Sequence, residues 1–219
     1  SSTYTNPLKA VEFFRKTGVD ALAISYGTMH GASKGKDVKL RKEIATAIRE
    51  CLSHEGIFGA LVSHGSSTVP KYIVDEINAL GGELTNTYGI AVEELQAAIP
   101  CGINKINVDT DIRLAVTRNM KELFVKYPEL RTSASIGEIY ELLEAKKSQF
   151  DPRVFLPPIM DTVMKGTIPD EDVAAIVNCV ERGVKEVVGT LIVQFGSFGK
   201  APLVEQVTLE EMIERYKKI

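Results

Sequence analysis

The chain has 219 residues, of which 44% are apolar and 25% charged, with a net charge of −3. That composition suits a soluble globular fold with a sizeable core. The near-neutral balance marks no nucleic-acid or anionic-membrane partner, so neither is expected, and no apolar run reaches spanning length.

The cysteines, Cys51, Cys101 and Cys179, are odd in number and far apart. This is the pattern of reduced thiols, so a cytoplasmic setting is expected. The chain opens Ser1-Ser2-Thr3-Tyr4 without an initiator methionine. It is therefore read as beginning inside a longer gene product.

Asn6-Pro7 is a helix start, with Asn as N-cap and Pro in the first turn. Leu8, Val11, Phe13 and Phe14 follow at roughly helical spacing, and Gly18 ends the segment. Val19–Ser25 is a short apolar run, read as a buried strand. It leads into a glycine-rich loop that carries His30. Val38–Leu52 returns to a helical period and Gly56 breaks it. A second strand, Ile57–Ser63, ends at His64. Val69-Pro70 opens the next helix, with Ile73, Ile77 and Leu80 on its core face and Gly81-Gly82 as its stop. An irregular piece precedes helix Ala91–Ala98. A third and more polar strand, Ile103–Val108, runs into Asp109-Thr110-Asp111, with Asp111 expected to cap helix Ile112–Val125.

Strand, loop and helix thus recur three times. The first two strands are nearly continuous apolar runs, which suits parallel strands covered on both faces. Polar and glycine-rich residues follow each strand, the placement of sites in α/β barrels and open sheets. Beyond Tyr127 the pattern turns helical over Ser133–Gln149, Pro169–Val188 and Leu209–Lys218, while Val187–Phe195 also reads as a strand. The FDPR motif at Phe150–Arg153, the prolines Pro157, Pro158 and Pro169, and the loop Phe195–Pro202 are read as interruptions. The expected division is residues 1–127 as α/β and 128–219 as a helical extension. A closed eight-stranded barrel takes about 250 residues, and a three-stranded parallel piece leaves two raw edges. The chain is therefore the carboxyl part of a barrel or a small open sheet, and its start favours the barrel.

Two histidines stand in equivalent places, His30 in Gly-Thr-Met-His-Gly and His64 in Ser-His-Gly-Ser-Ser. Adjacent parallel strands lie about 4.8 Å apart, so both imidazoles can reach one ion. Zinc suits two neutral histidines plus a further ligand, though no third ligand is visible. His54 lies at the other end of its strand and reads as structural or exposed. Gly31, Gly65, Ser66, Ser67, Asp109 and Thr110 are candidates for the N–H groups and hydroxyls of a phosphate cradle, with tight turns for the glycines and a simple turn role for Asp109 as the other reading. Asn107, at a strand end, is a candidate substrate ligand. Lys34 and Arg153 are candidate cations for phosphate.

With these residues assembled, the chain resembles the class II, metal-dependent fructose-bisphosphate aldolases. The motifs are VDALAISYGTMHGASK at 19–34, LVSHGSSTVP at 61–70, YGIAVEELQAAIPCGINKINVDTDIRLA at 88–115 and FDPRVFL at 150–156. The resemblance implies a TIM (β/α)8 barrel, of which this chain holds the later strands plus a helical C-terminal extension. It implies a zinc site using His30 and His64, with a further histidine from elsewhere. The ion polarises the ketose carbonyl and stabilises the enediolate of dihydroxyacetone phosphate. Gly31, Lys34, Ser67, Asp109 and Thr110 match the residues around the ketose phosphate. Asn107 matches one that contacts the reacting part of the substrate, and Arg153 matches the arginine of the distal phosphate. A monovalent cation, Na+ or K+, and a homo-oligomer, dimer or tetramer, are also implied.

The implied reaction is reversible cleavage of fructose 1,6-bisphosphate to dihydroxyacetone phosphate and glyceraldehyde 3-phosphate in glycolysis and gluconeogenesis. Tagatose bisphosphate is the competing substrate. The family's first zinc histidine and its proton-transferring aspartate lie on earlier strands and have no counterpart here. The chain by itself is therefore expected to be inactive until the N-terminal half of the barrel is supplied. A non-catalytic half-barrel that binds sugar phosphate is the other reading.

Overall fold

The computed structural model describes residues 4–29 and 37–217. Helix α1 (Pro7–Thr17) starts where the Asn6 side chain accepts the N–H groups of Leu8 and Lys9 at 3.0 and 3.2 Å. Gly18 closes it at φ +65°, a conformation that costs glycine little. Its buried face is Ala10, Val11 and Phe14, while Leu8 and Phe13 are exposed. A helix this short turns one stripe toward the sheet. Phe14 fills the space over Gly59, where a Cβ would lie 2.3 Å from its ring.

Strands β1 (Ala21–Ile24), β2 (Ala60–Ser63) and β3 (Ile103–Ile106) form a parallel sheet in that order. Consecutive order with helical crossovers is what later strands of a (β/α)8 barrel require. Central β2 is buried over 61–63, as expected of a covered strand. Edge strand β1 departs from that expectation, because Ala21 and Ala23 are exposed. The polarity of β3 has a local cause. Its register steps from Leu61↔Ile103 to Val62↔Lys105, leaving Asn104 in a bulge. The Asn104 side chain accepts the Leu61 N–H at 3.0 Å and the Arg49 guanidinium at 2.5 Å. It takes over ladder bonding that the bulged backbone gives up.

Helix α2 (Lys42–His54) begins later than its periodicity suggested. Buried Leu40 precedes it and donates its N–H to the Glu94 carboxylate at 3.1 Å. Helices α3 (Lys71–Ala79) and α4 (Val92–Ala98) follow, and α5 (Thr110–Lys126) leaves the end of β3. Phe14, Ile48, Leu52, Leu61, Leu95 and Ile103 gather in one core around the sheet.

The later chain holds α6 (Gly137–Ala145), α7 (Pro157–Met164), α8 (Glu171–Gln194) and α9 (Leu209–Tyr216). Two expectations change here. Pro157 and Pro158 open a helix instead of interrupting one, because the first turn needs no N–H donors. The stretch from Val187 is helical to Gln194, not a strand. Its β-branched residues favour a strand locally, but α8 packs along α5. Gly183 there meets the Val116 backbone so closely that a Cβ would lie 2.8 Å away. Helix α5 is thus a shared wall. Leu114 and Ala115 join Ile73, Ile77 and Val187, whereas Met120 and Phe124 join Ile139, Phe155 and Ile176.

Candidate functional site

The carboxyl ends of β2 and β3 are tied together by backbone. The Asn107 N–H donates to the Ser63 carbonyl at 2.9 Å, and the Ser66 N–H donates to the Asn107 carbonyl at 3.1 Å. The first turn of the His64–Ser67 loop is therefore pinned to the end of β3. Inside it, buried Ser63 and Ser66 join hydroxyls at 2.6 Å, and Ser63 meets the buried Tyr26 phenol at 2.5 Å. Burial pushes the Tyr26 phenol above its ordinary pKa, so it stays protonated. Ser66, expected at the phosphate, turns its hydroxyl inward and spends its N–H on Asn107.

The next turn is fixed from below. Val69 adopts φ +51°, a strained conformation for a β-branched residue. Buried Asp111 holds it there. Its carboxylate accepts the Thr68 N–H at 3.0 Å, the Thr68 hydroxyl at 2.6 Å and the Val69 N–H at 2.9 Å. Asp111 is therefore a loop anchor and not the cap of α5. Gly89 packs so near that a Cβ would lie 2.0 Å from the Thr68 carbonyl oxygen.

The cap of α5 comes from the other loop. Ser67 Oγ accepts the N–H groups of Asp109 and Thr110 at 3.2 and 3.1 Å. Asp109 occupies the N-cap position, but its side chain makes no capping bond. It instead faces Arg113, with contacts of 2.7 and 2.8 Å. Arg113 also pairs with Asp151, and Asp151 pairs with Arg153 at 2.6 Å. Arg153, beside Asp151, holds that carboxyl below its ordinary pKa, with Arg113 adding to the effect. The FDPR motif thus reaches the end of β3 through Arg113. The Asn107 side-chain oxygen accepts from Lys105, leaving the residue half-buried at the same rim.

Arg113 and Asp151 were not singled out in the sequence. The spacing of Asp109 and Arg113, four residues apart on one helix, is a signal that could have found the pair. Tyr26 gave no signal, since a buried aromatic after a strand reads as core.

The N-terminus of α5, the small-residue loop and the guanidiniums of Arg113 and Arg153, paired with Asp109 and Asp151, thus lie along one rim. The metal side is thinner. His64 is exposed at the end of β2, and His54 is exposed at the end of α2. His30, Gly31 and Lys34 lie outside the described residues. Among the described residues, no group of three or more His, Cys, Asp or Glu side chains could hold a metal ion. Of the expected metal ligands the described residues hold His64 alone, and they do not complete a ligand set. A hollow of about 520 Å³, lined by Asp37, Val69, Asp75 and Asn86, lies behind the loop beside α3 rather than at this rim.

The sequence matches the family described as "Fructose-bisphosphate aldolase class-II" over residues 1–200. It is 35% identical to a fructose-bisphosphate aldolase of Nostoc commune over 218 residues, covering 100% of this chain and 50% of that protein. A fructose-bisphosphate aldolase of Giardia intestinalis is 35% identical over 214 residues, covering 97% of this chain and 53% of that protein. The chain thus spans about half the length of the curated relatives it matches. Among solved structures, the YdjI aldolase from Escherichia coli K12 is similar at 20% identity with a TM-score of 0.44. That match covers 90% of this chain and 46% of the other.

Proposed function

The chain belongs to the class-II fructose-bisphosphate aldolases, and from that premise we propose that it supplies the phosphate side and part of the metal side of an aldolase active site. The reaction is reversible cleavage of fructose 1,6-bisphosphate to dihydroxyacetone phosphate and glyceraldehyde 3-phosphate. The meeting of Ser67 with the first amides of α5, at 3.2 and 3.1 Å, carries this reading. In it, the ketose phosphate takes the Asp109 and Thr110 amides over from Ser67 Oγ and accepts from the Ser67 hydroxyl, with Gly31, Lys34 and Gly65 completing the cradle. Ser66 supports the loop from inside. Arg153, steered by Asp151, binds the distal phosphate, and Arg113 keeps Asp109 and Asp151 in register. Asn107 faces the reacting carbons.

His30 and His64 are two ligands of a zinc ion, which when bound polarises the ketose carbonyl. A monovalent cation sits beside the phosphate loops. The remaining ligand and the proton-transfer group come from outside these 219 residues. Residues 1–127 act as the barrel portion and 128–219 as its helical extension. We place the assembled enzyme in the cytoplasm, in glycolysis or gluconeogenesis, as a homo-oligomer. Exposed Val184, Val188 and Ile192 on α8 support that assembly, and among the described residues no helix is long and apolar enough to cross a membrane.

The test is to assay the chain alone, and mixed with the amino-terminal half of the Nostoc commune relative, for release of dihydroxyacetone phosphate. Fructose and tagatose bisphosphates are compared. Cleavage in the mixture, lost in His64→Ala and in the zinc-stripped sample, is expected. No cleavage in any mixture would overturn the enzyme reading. A sugar-phosphate-binding half-barrel is the second reading, favoured by the more complete phosphate side. It predicts phosphate binding that is unchanged by zinc and by the added half.

A further inference from the structure

We propose that Tyr26 is a positioning residue for the His64–Ser67 loop, acting through Ser63 and Ser66. The phenol is fully buried, and its hydrogen-bond partner is Ser63 Oγ at 2.5 Å. Ser63 Oγ meets Ser66 Oγ at 2.6 Å, and Ser66 Oγ donates to the Ser63 carbonyl at 3.1 Å.

These contacts fix the direction of the chain. Ser66 gives its proton to the carbonyl, so Ser63 donates to Ser66 and Tyr26 donates to Ser63. Each hydroxyl then gives one hydrogen bond, so none of these donors is left unmade in the core.

Tyr26 is itself well held, since its carbonyl accepts the Arg41 N–H at 2.8 Å. The relay thus joins a fixed point after β1 to the two residues that bracket His64 and Gly65. Ser66 in turn sets the path of the chain into Ser67, whose Oγ lies on the α5 amides. The backbone pairing to Asn107 holds Ser63 and Ser66 by their main chains, and the relay adds their side chains. It does so at the cost of two serine hydroxyls buried in an apolar core.

The inference rests on the phosphate reading above, and its test separates the two. Tyr26→Phe, Ser63→Ala and the double variant are made in the full 219-residue chain, with inorganic phosphate as the probe. Phe keeps the ring and its packing, so folding is retained. Tyr26→Phe is expected to shift the amide resonances of Gly65, Ser66 and Ser67 and to weaken phosphate binding about threefold to tenfold. Ser63→Ala should match it, and the double variant should be no worse than either. Lower melting temperatures with unmoved loop resonances and unchanged affinity would overturn the proposal. Should the parent chain bind no phosphate, the phosphate reading fails. The loop resonances then decide the relay alone, with movement supporting it and no movement overturning it.

Discussion

The Asp111 carboxylate accepts the N–H of Val69 at 2.9 Å while Val69 stands at φ +51°. A buried charge from the first turn of α5 stabilises a strained turn in a different loop. Its cost of burial is offset by three donors, all from Thr68 and Val69. Asp111→Asn replaces one accepting oxygen with a donor and sets it against these N–H groups. We expect a loss of about 3 kcal/mol in denaturant unfolding. Val69→Gly, which relieves the strain, should restore part of the loss in the double variant.

Ser67→Ala removes the acceptor for the Asp109 and Thr110 amides. A lost N-cap costs about 1 kcal/mol, so a modest fall in unfolding free energy is expected. Phosphate affinity should fall as well, measured by titration of the α5 amide resonances.

Two glycines of α8 make a matched pair. A Cβ at Gly183 would lie 2.8 Å from the Val116 amide nitrogen, whereas a Cβ at Gly189 meets nothing within 4 Å. Gly183→Ala should push α8 off α5 and destabilise by about 1–3 kcal/mol. Gly189→Ala should stabilise by about 0.5–1 kcal/mol through helix propensity. Thermal unfolding of the two variants, read with opposite signs, checks the packing of α8.

Glu94 has a pKa lowered from 4.5 to about 2, first by the Lys42 ammonium and then by the Leu40 N–H. The folded state therefore favours the carboxylate. Its contribution to stability is complete above about pH 4.5 and drains away as pH falls toward 2. Glu94→Gln should lower the melting temperature near neutrality and flatten the acid limb of its pH profile.

Lys121 is 4% exposed, and its Nζ has no hydrogen-bond partner. Burial pushes its pKa down. The unfolded chain thus holds this proton more readily, and stability rises with pH toward the ordinary lysine value of 10.5. Lys121→Met should raise stability by about 1–3 kcal/mol at neutral pH and reduce that slope in a pH series of melting curves.

What the sequence made legible was local. The Asn6 cap, the glycine stops and the polar residues at strand ends all announce themselves within a few positions. Asp111 illustrates the limit. Its place before an apolar period looks like an N-cap, yet its partners lie 42 and 43 residues earlier, and the true cap of α5 lies 42 and 43 residues before the two amides it caps. No periodicity carries that information. The valine-rich end of α8 fails similarly, because its state is decided by contact with α5 and not by β propensity. Ser67, Asp109 and Thr110 could be grouped from sequence, and the structure brings them together. Arg113 could be paired with Asp109 from their spacing, but its second partner, Asp151, lies 38 residues on and only the fold sets the arginine between them.

The borrowed cap of α5 also imposes an order of assembly. Ser67 leaves the ribosome before the helix it caps, so an acceptor already waits when the Asp109 and Thr110 amides emerge. Those amides exchange with solvent until β2 and β3 have paired and brought Ser67 across. Their protection against deuterium is therefore a clock for the docking of Ser67 on α5, set by a contact that neither segment makes alone.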